Sequence, residues 1–195
     1  MNRKNKKKAA LFIDRDGVLN KLKEENGNLY SPHRLEEFKV LPKISQAIRK
    51  AKSLGFITIL ITNQPDVSRG KITLTELDKM HKLLLKKTLI DDIFICPHDS
   101  HFQCHCRKPK NGLIKMAIKK WDIDIKNSFL VGDTWKDIYA GFNSGCKTIL
   151  VRNPQNYDKH FWSKSDIRYD WSTKNLYDAV KKIEQRILKI PIKET

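Results

Sequence analysis

The sequence predicts an α/β fold: a doubly wound, mostly parallel, Rossmann-like sheet with helices on both faces. Three observations predict it. Short apolar or β-branched runs alternate along the chain with longer segments of helical spacing. The first, second and fourth of these runs stop abruptly in polar or acidic residues. Gly55 and Gly145 stand where two of the helical segments end. Right-handed crossovers then bring the strands' carboxyl ends to one edge, where open α/β sheets bind ligands.

The first apolar run, Ala9 to Ile13, breaks at Asp14-Arg15-Asp16-Gly17. Two carboxylates two residues apart can reach one site at a frayed strand end, and Gly17 permits a sharp turn away. Residues 21–41 are polar, irregular and long for a plain connection, which predicts a lid or substrate loop. Pro42 opens a helix with Ile44, Ala47, Ile48, Ala51 and Leu54 inward. Phe56–Ile61 is a second strand, ending in Thr62-Asn63-Gln64. After the loop Pro65–Gly70, Thr73 caps a helix to about Leu89, with Glu76 completing a capping box and Leu77, Met80, Leu84 and Leu85 inward. Asp92–Cys96 is a third strand. A helix follows over 111–121, a strand over 128–131 ending in Gly132-Asp133-Thr134, a helix over 135–144 and a fifth strand over 146–151. An irregular aromatic stretch, 152–172, holds Phe161, Trp162, Tyr169 and Trp171. A closing helix over 174–188 turns Leu176, Val180, Ile183 and Ile187 to one side.

The length of 195 residues suits one domain, expected over 9–190 behind a disordered basic tail at 1–8. No apolar run approaches the ~20 residues of a membrane span. The basic N-terminus lacks a small-residue cleavage site, so a cytoplasmic protein is expected. The net charge of +17 raises a nucleic-acid partner. The lysines are scattered rather than clustered, however, and no nucleic-acid-binding motif stands out. A positive field also favours a small phosphorylated substrate. Cys96, Cys104 and Cys106 lie within eleven residues beside histidines, which favours a metal over disulfides. Cys146 opens a strand and is expected simply to be buried.

Four separated strand ends offer groups suited to phosphoryl transfer. Asp14 is the candidate nucleophile and Asp16 the proton carrier. Thr62, Asn63 and the following amides suit phosphoryl oxygens, and Lys108 suits their charge. Asp133, with Asp14 and the Asp16 carbonyl, makes a set of hard oxygen donors for magnesium. Asp137 either supports that site or is a polar residue of a first helical turn. Cys96, His98, Cys104 and Cys106 form a three-cysteine, one-histidine set typical of structural zinc. By spacing alone, His101 and His105 remain candidates for the histidine.

DRDGVLN, the ITNQ strand end, the RKP lysine and GDTWKD resemble the four motifs of the haloacid dehalogenase superfamily of phosphohydrolases, over residues 10–151. DRDG together with CPH…CHCRKP is similar to a narrower, zinc-containing branch, that of the heptose bisphosphate and histidinol-phosphate phosphatases. The resemblance implies Asp14 as phosphoryl acceptor and Asp16 as general acid/base. It implies Thr62 and Lys108 on phosphate, Arg107 on substrate, magnesium on Asp14, Asp16 and Asp133, and His98 as the zinc histidine. Arg15, Asn63 and Gln64 join the expected substrate-binding set. Ser68-Arg69-Gly70-Lys71 resembles the heptose branch and puts Arg69 on substrate, the alternative being a surface salt bridge. Pro65-Asp66 departs from the Ser-Gly usual there, and only five residues separate His98 from Cys104, as in the histidinol-phosphate enzymes. The chain lacks room for a large cap domain, and a monomer is expected. The favoured substrate is a heptose bisphosphate. The alternatives are histidinol phosphate or another small phosphomonoester and, from another class, a basic nucleic-acid 3′-phosphatase module.

Overall fold

In the computed structural model, residues 7–152 and 168–188 are described. Residues 1–6 of the basic tail, and Phe161 and Trp162 of the aromatic stretch, lie outside them. Of the remaining tail residues, Lys7 pairs with Asp122 at 3.1 Å and Lys8 bridges Ile123.

The strands are β1 (Ala10–Ile13), β2 (Lys23–Glu25), β3 (Asn28–Tyr30), β4 (Ile57–Asn63), β5 (Asp92–Cys96), β6 (Phe129–Gly132), β7 (Lys147–Val151) and β8 (Trp171–Thr173). The helices are α1 (Ile44–Ser53), α2 (Leu74–Lys87), α3 (Gly112–Trp121), α4 (Trp135–Phe142) and α5 (Leu176–Ile187). Six strands form one sheet in the order β5-β4-β1-β6-β7-β8, every neighbouring pair parallel. From β1 the chain builds outward through β4 and β5, then returns to the other side of β1 for β6. The order reverses at β1, so the crevice of this sheet opens at the carboxyl ends of β1, β4 and β6.

Strand alternation divides the core. Leu11 and Ile13 of β1 pack with the inward residues of α1, α2 and α5, while Ala10 and Phe12 pack with those of α3 and with Ala140 of α4. Both faces of the sheet are therefore covered, and β1 is buried throughout.

Four features differ from expectation. Residues 21–41 contain a hairpin, β2 paired antiparallel to β3, followed by a 3₁₀ turn at Leu35–Glu37. Its turn residues Asn26 (φ 51°) and Gly27 (φ 73°) both take left-handed backbone, as a type I′ turn requires. β8 is a sixth strand inside the stretch expected to be irregular. Three residues are too few to show a period, and tertiary contacts hold it: Trp171 stacks on Phe129 at 5.9 Å. Leu85 and Ile187 point outward, and His81 and Ala179 take inward places. The buried stripes, 77-80-81-84 and 176-179-180-183, keep helical spacing, and Leu85 and Ile187 fall one step beyond them. The capping box of α2 is half made. Thr73 Oγ1 accepts the Glu76 N–H at 3.1 Å, but the Glu76 carboxylate takes the Leu35 N–H at 2.9 Å instead, tying the 3₁₀ turn to α2.

Candidate active site

The crevice at the switch point is a cleft of about 300 Å³. It is lined by Asp14 and Asp16 after β1, by Thr62 and Asn63 of β4, by Arg107 and Lys108, and by Asp133, Thr134, Lys136 and Asp137 after β6. The sheet, not the sequence, makes these four segments neighbours. Asp14 continues the β1 ladder, its N–H donating to the Val131 carbonyl at 2.9 Å.

Lys108 is the electrostatic centre. It is 3 % exposed, and its Nζ donates to Asp14 Oδ1 (2.6 Å), Asp137 Oδ1 (2.5 Å) and the Ile61 carbonyl (2.9 Å). Burial opposes its charge, but Asp137 and Asp14 outweigh burial and hold the ammonium above its usual range. Burial, reinforced by the nearby Asp137, pushes the Asp14 carboxyl up to about 7. Asp16 has the opposite environment. Burial would raise it, yet its partners win and its carboxyl lies below the usual range. The Arg15 guanidinium grips both oxygens (2.9 and 3.0 Å), Asn20 donates at 2.9 Å, Gln64 at 2.8 Å and Ser31 at 2.9 Å.

Oxygens of Asp14, Asp133 and Asp137, all buried, lie within 4.8 Å of one another. Three buried carboxylates around one ammonium leave an excess of negative charge, and hard oxygen donors of this kind fit Mg²⁺. Both Asp137 oxygens are already engaged. Oδ1 takes Lys108, and Oδ2 takes the Thr134 hydroxyl (2.6 Å) and N–H (3.0 Å) as the cap of α4. Asp137 is thus the polar residue of a first helical turn that the sequence offered, and the same carboxylate also fixes Lys108. The Asp16 carboxylate is outside this trio, held by Arg15, Asn20, Gln64 and Ser31, so only its backbone carbonyl remains for the metal.

Thr62, Arg107 and Lys108 stand on the cleft as expected. Arg107 Nη1 donates to the His98 carbonyl at 3.0 Å, which anchors it to the cysteine loop. Four residues expected on substrate have their side chains engaged with other protein groups. Arg15 is wholly buried, facing Asp16, the His81 ring (3.4 Å) and the Phe38 ring, so it orients Asp16 and does not line the cleft. The Asn63 side chain is spent on Lys108, donating to its carbonyl and accepting its N–H, each at 3.0 Å. Gln64 is 1 % exposed and donates to Asp16 and to Thr62 Oγ1 (2.9 Å). Arg69 takes the salt-bridge alternative, binding Asp99 (2.5 and 2.9 Å) and Asp66 (3.1 Å), and does not line the cleft.

Sequence reasoning missed Ser31, Lys136 and Gly132. Lys136 lines the cleft, and burial together with the positive Arg107 lowers its ammonium below the usual range. A Cβ on Gly132 would lie 2.2 Å from Asp137 Cβ, so only glycine lets Asp137 reach Lys108. GDTWKD contained both residues, but only a helix packed on β6 makes them touch.

The buried His81 ring carries a second consequence. Burial, then the adjacent Arg15, depresses its pKa to about 4. The unfolded chain binds this proton below about 6.5 and the folded chain does not, so stability falls with pH between about 6.5 and 4. The loss should reach about 3 kcal/mol. His81→Leu should flatten Tm against pH over that interval, and an unchanged slope would assign the acid sensitivity elsewhere.

Beside the cleft, Cys96, His98, Cys104 and Cys106 converge. Cys96 Sγ lies 3.6 Å from Cys104 Sγ and 3.2 Å from Cys106 Sγ, and His98 Nδ1 lies 3.3 Å from Cys106 Sγ. Zn–S bonds of about 2.3 Å imply tetrahedral edges near 3.8 Å, so the donor set fits zinc after a slight expansion. The geometry selects His98. His101 stacks on Phe102 at 4.2 Å instead. Gly112 lets α3 approach the loop, since a Cβ there would meet the His105 carbonyl at 2.3 Å. Cys146 is buried, its thiol pushed up to about 12 by burial.

Residues 105–179 match the HAD-hydrolase-like family. The chain is 40 % identical to the D-glycero-alpha-D-manno-heptose-1,7-bisphosphate 7-phosphatase of Photorhabdus laumondii, over 76 % of this chain and 84 % of that one. It is 37 % identical to the D-glycero-beta-D-manno-heptose-1,7-bisphosphate 7-phosphatase of Helicobacter pylori, over 78 % and 89 %. Among solved structures, it is similar to the D,D-heptose 1,7-bisphosphate phosphatase of B. bronchiseptica complexed with magnesium and phosphate. The TM-score is 0.77 at 27 % identity, covering 91 % of this chain and 99 % of that one. With such identity over most of both chains, this protein belongs to the haloacid dehalogenase-like family and is one of its phosphatases.

Proposed function

We propose that the chain is a magnesium-dependent phosphomonoesterase that removes the 7-phosphate of a D-glycero-D-manno-heptose 1,7-bisphosphate through an aspartyl-phosphate. The observation that carries the chemistry is Asp14 at the end of β1, held by Lys108 and surrounded by Asp133 and Asp137. The relatives' names carry the substrate. They include both anomers, so the anomer is left to the assay.

An Asp14 oxygen attacks phosphorus, and the bond from phosphorus to the sugar oxygen breaks. Lys108 and the Thr62 hydroxyl stand where phosphoryl oxygens would be held. Magnesium on Asp14, Asp133 and the Asp16 carbonyl would screen the repulsion between carboxylate and phosphate. Water then attacks the phosphoryl group and releases Asp14. Asp16 passes a proton to the leaving oxygen as the sugar departs and takes one back from the attacking water, so each turnover ends with Asp16 in the state in which it began. Water is consumed, and alcohol and phosphate are formed. Arg107 and Lys136, on the same cleft, supply positive charge for the substrate's second phosphate.

Zinc is assigned to the Cys/His loop as a structural ion, with four protein ligands and no open position. Elemental analysis should find about one tightly held zinc per chain, lost in Cys106→Ser. Protein with no zinc, folded and active, would refute the assignment.

The substrate test is phosphate release with magnesium, comparing both heptose 1,7-bisphosphate anomers, histidinol phosphate and a 3′-phosphorylated oligonucleotide. A hundredfold preference for one heptose anomer in kcat/KM, ~2.7 kcal/mol, is the expected result. A preference for histidinol phosphate or the oligonucleotide would overturn the assignment.

A further inference from the structure

The β2–β3 hairpin sits over the cleft and touches its chemistry. Leu22 and Leu29 line the cleft, and Ser31 donates to Asp16 Oδ2 at 2.9 Å. The hairpin itself is slight: two strands of three residues with an Asn-Gly turn, a size that is marginal alone in water. Something must hold it in place. Two residues beyond Ser31, His33 Nε2 meets Asp66 Oδ2 at 2.8 Å. Asp66 belongs to the loop after β4, and its other oxygen takes Arg69 Nη1 at 3.1 Å. Arg69 in turn is clamped on Asp99 of the cysteine loop. A continuous chain, His33–Asp66–Arg69–Asp99, thus joins the three loops around the cleft. Asp66 is only 9 % exposed, so this pair is less screened than a surface pair.

We infer that the His33–Asp66 contact latches the hairpin over the cleft as a small cap and so keeps Ser31 on Asp16, making His33 and Asp66 positioning residues. The inference rests on Asp16 serving the phosphatase reaction. Ser31 withdrawn from Asp16 would leave one fewer donor on the carboxylate that handles the proton. Without the latch, Leu22 and Leu29 would no longer wall the cleft against water. The salt bridges of Arg69 acquire a role here: they brace Asp66 from behind.

The test combines hydrogen exchange with a kinetic double-mutant cycle. In His33→Ala, amides of residues 23–30 should exchange at least tenfold faster, while those of β1, β4 and β6 stay as protected as in the parent. His33→Gln, which keeps a hydrogen bond to Asp66, should restore hairpin protection. With p-nitrophenyl phosphate as substrate, His33→Ala and Ser31→Ala should each lower kcat/KM several-fold. The double variant should be no worse than His33→Ala alone, because both changes break one coupled contact. Unchanged hairpin exchange, or multiplicative kinetic effects, would overturn the proposal. If His33→Ala does not fold, His33→Phe, which fills the same space without a hydrogen bond to Asp66, takes its place, with His33→Gln again as the rescue. A wild-type chain that turned over no phosphomonoester would instead refute the phosphatase chemistry, and the exchange result would still decide the latch.

Discussion

Asp14→Asn should lower kcat by about 10⁴-fold or more, the scale seen when a nucleophile is removed from a cooperating set. The amide keeps the shape of the carboxylate and can still accept from Lys108, but it cannot attack phosphorus. The fold should survive. Burial, with Asp137 nearby, already disfavours a charged Asp14, so neutralising it relieves a cost in magnesium-free buffer. Turnover and thermal unfolding on one preparation test this together. Activity above about one per cent of the parent, from Asp14→Asn free of deamidated protein, would remove Asp14 as phosphoryl acceptor.

Lys108→Met should be the most destabilising single change in the cleft. Lys108 is the buried cation between Asp14 and Asp137, and its loss leaves two carboxylates uncompensated. Breaking a buried pair this way costs about 3–5 kcal/mol. Turnover should vanish as well. Adding Asp137→Asn to Lys108→Met should recover part of the stability and none of the activity. Denaturant unfolding in magnesium-free buffer measures both variants. A loss below about 1 kcal/mol in Lys108→Met would mean that water reaches the cluster and screens it.

Much of the site is legible along the chain because strand ends announce themselves. The apolar run Leu11–Ile13 broken by Asp14, and the Thr62 and Asp133 ends, mark the candidate catalytic edge by composition alone. Three cysteines within eleven residues announce a metal loop in the same way. The hairpin around Asn26-Gly27 is not read from the chain, where residues 21–41 look irregular, because its strands of three residues are too short to show a period.

Direction and partnership were not legible. Arg15, Asn63 and Gln64 sit in motif segments beside catalytic residues, and sequence proximity suggests that they bind substrate. The structure turns Arg15 and Gln64 onto Asp16 and spends Asn63 on the backbone of Lys108. Lys136 entered the site through helix packing, as did the Gly132–Asp137 contact.

The α/β class, the polar strand ends of the candidate site and a cysteine and histidine set able to hold a metal can be read along the chain, because burial period and ligand chemistry are local properties. Tertiary structure alone decided which side of a residue faces the cleft. It joined Asp14, Lys108 and Asp137 across 94 and 29 positions of sequence, added β8 and tied His33 to Asp66. Those outcomes depend on the through-space competition of each polar group for its partners, and only the packed sheet brings the competitors together.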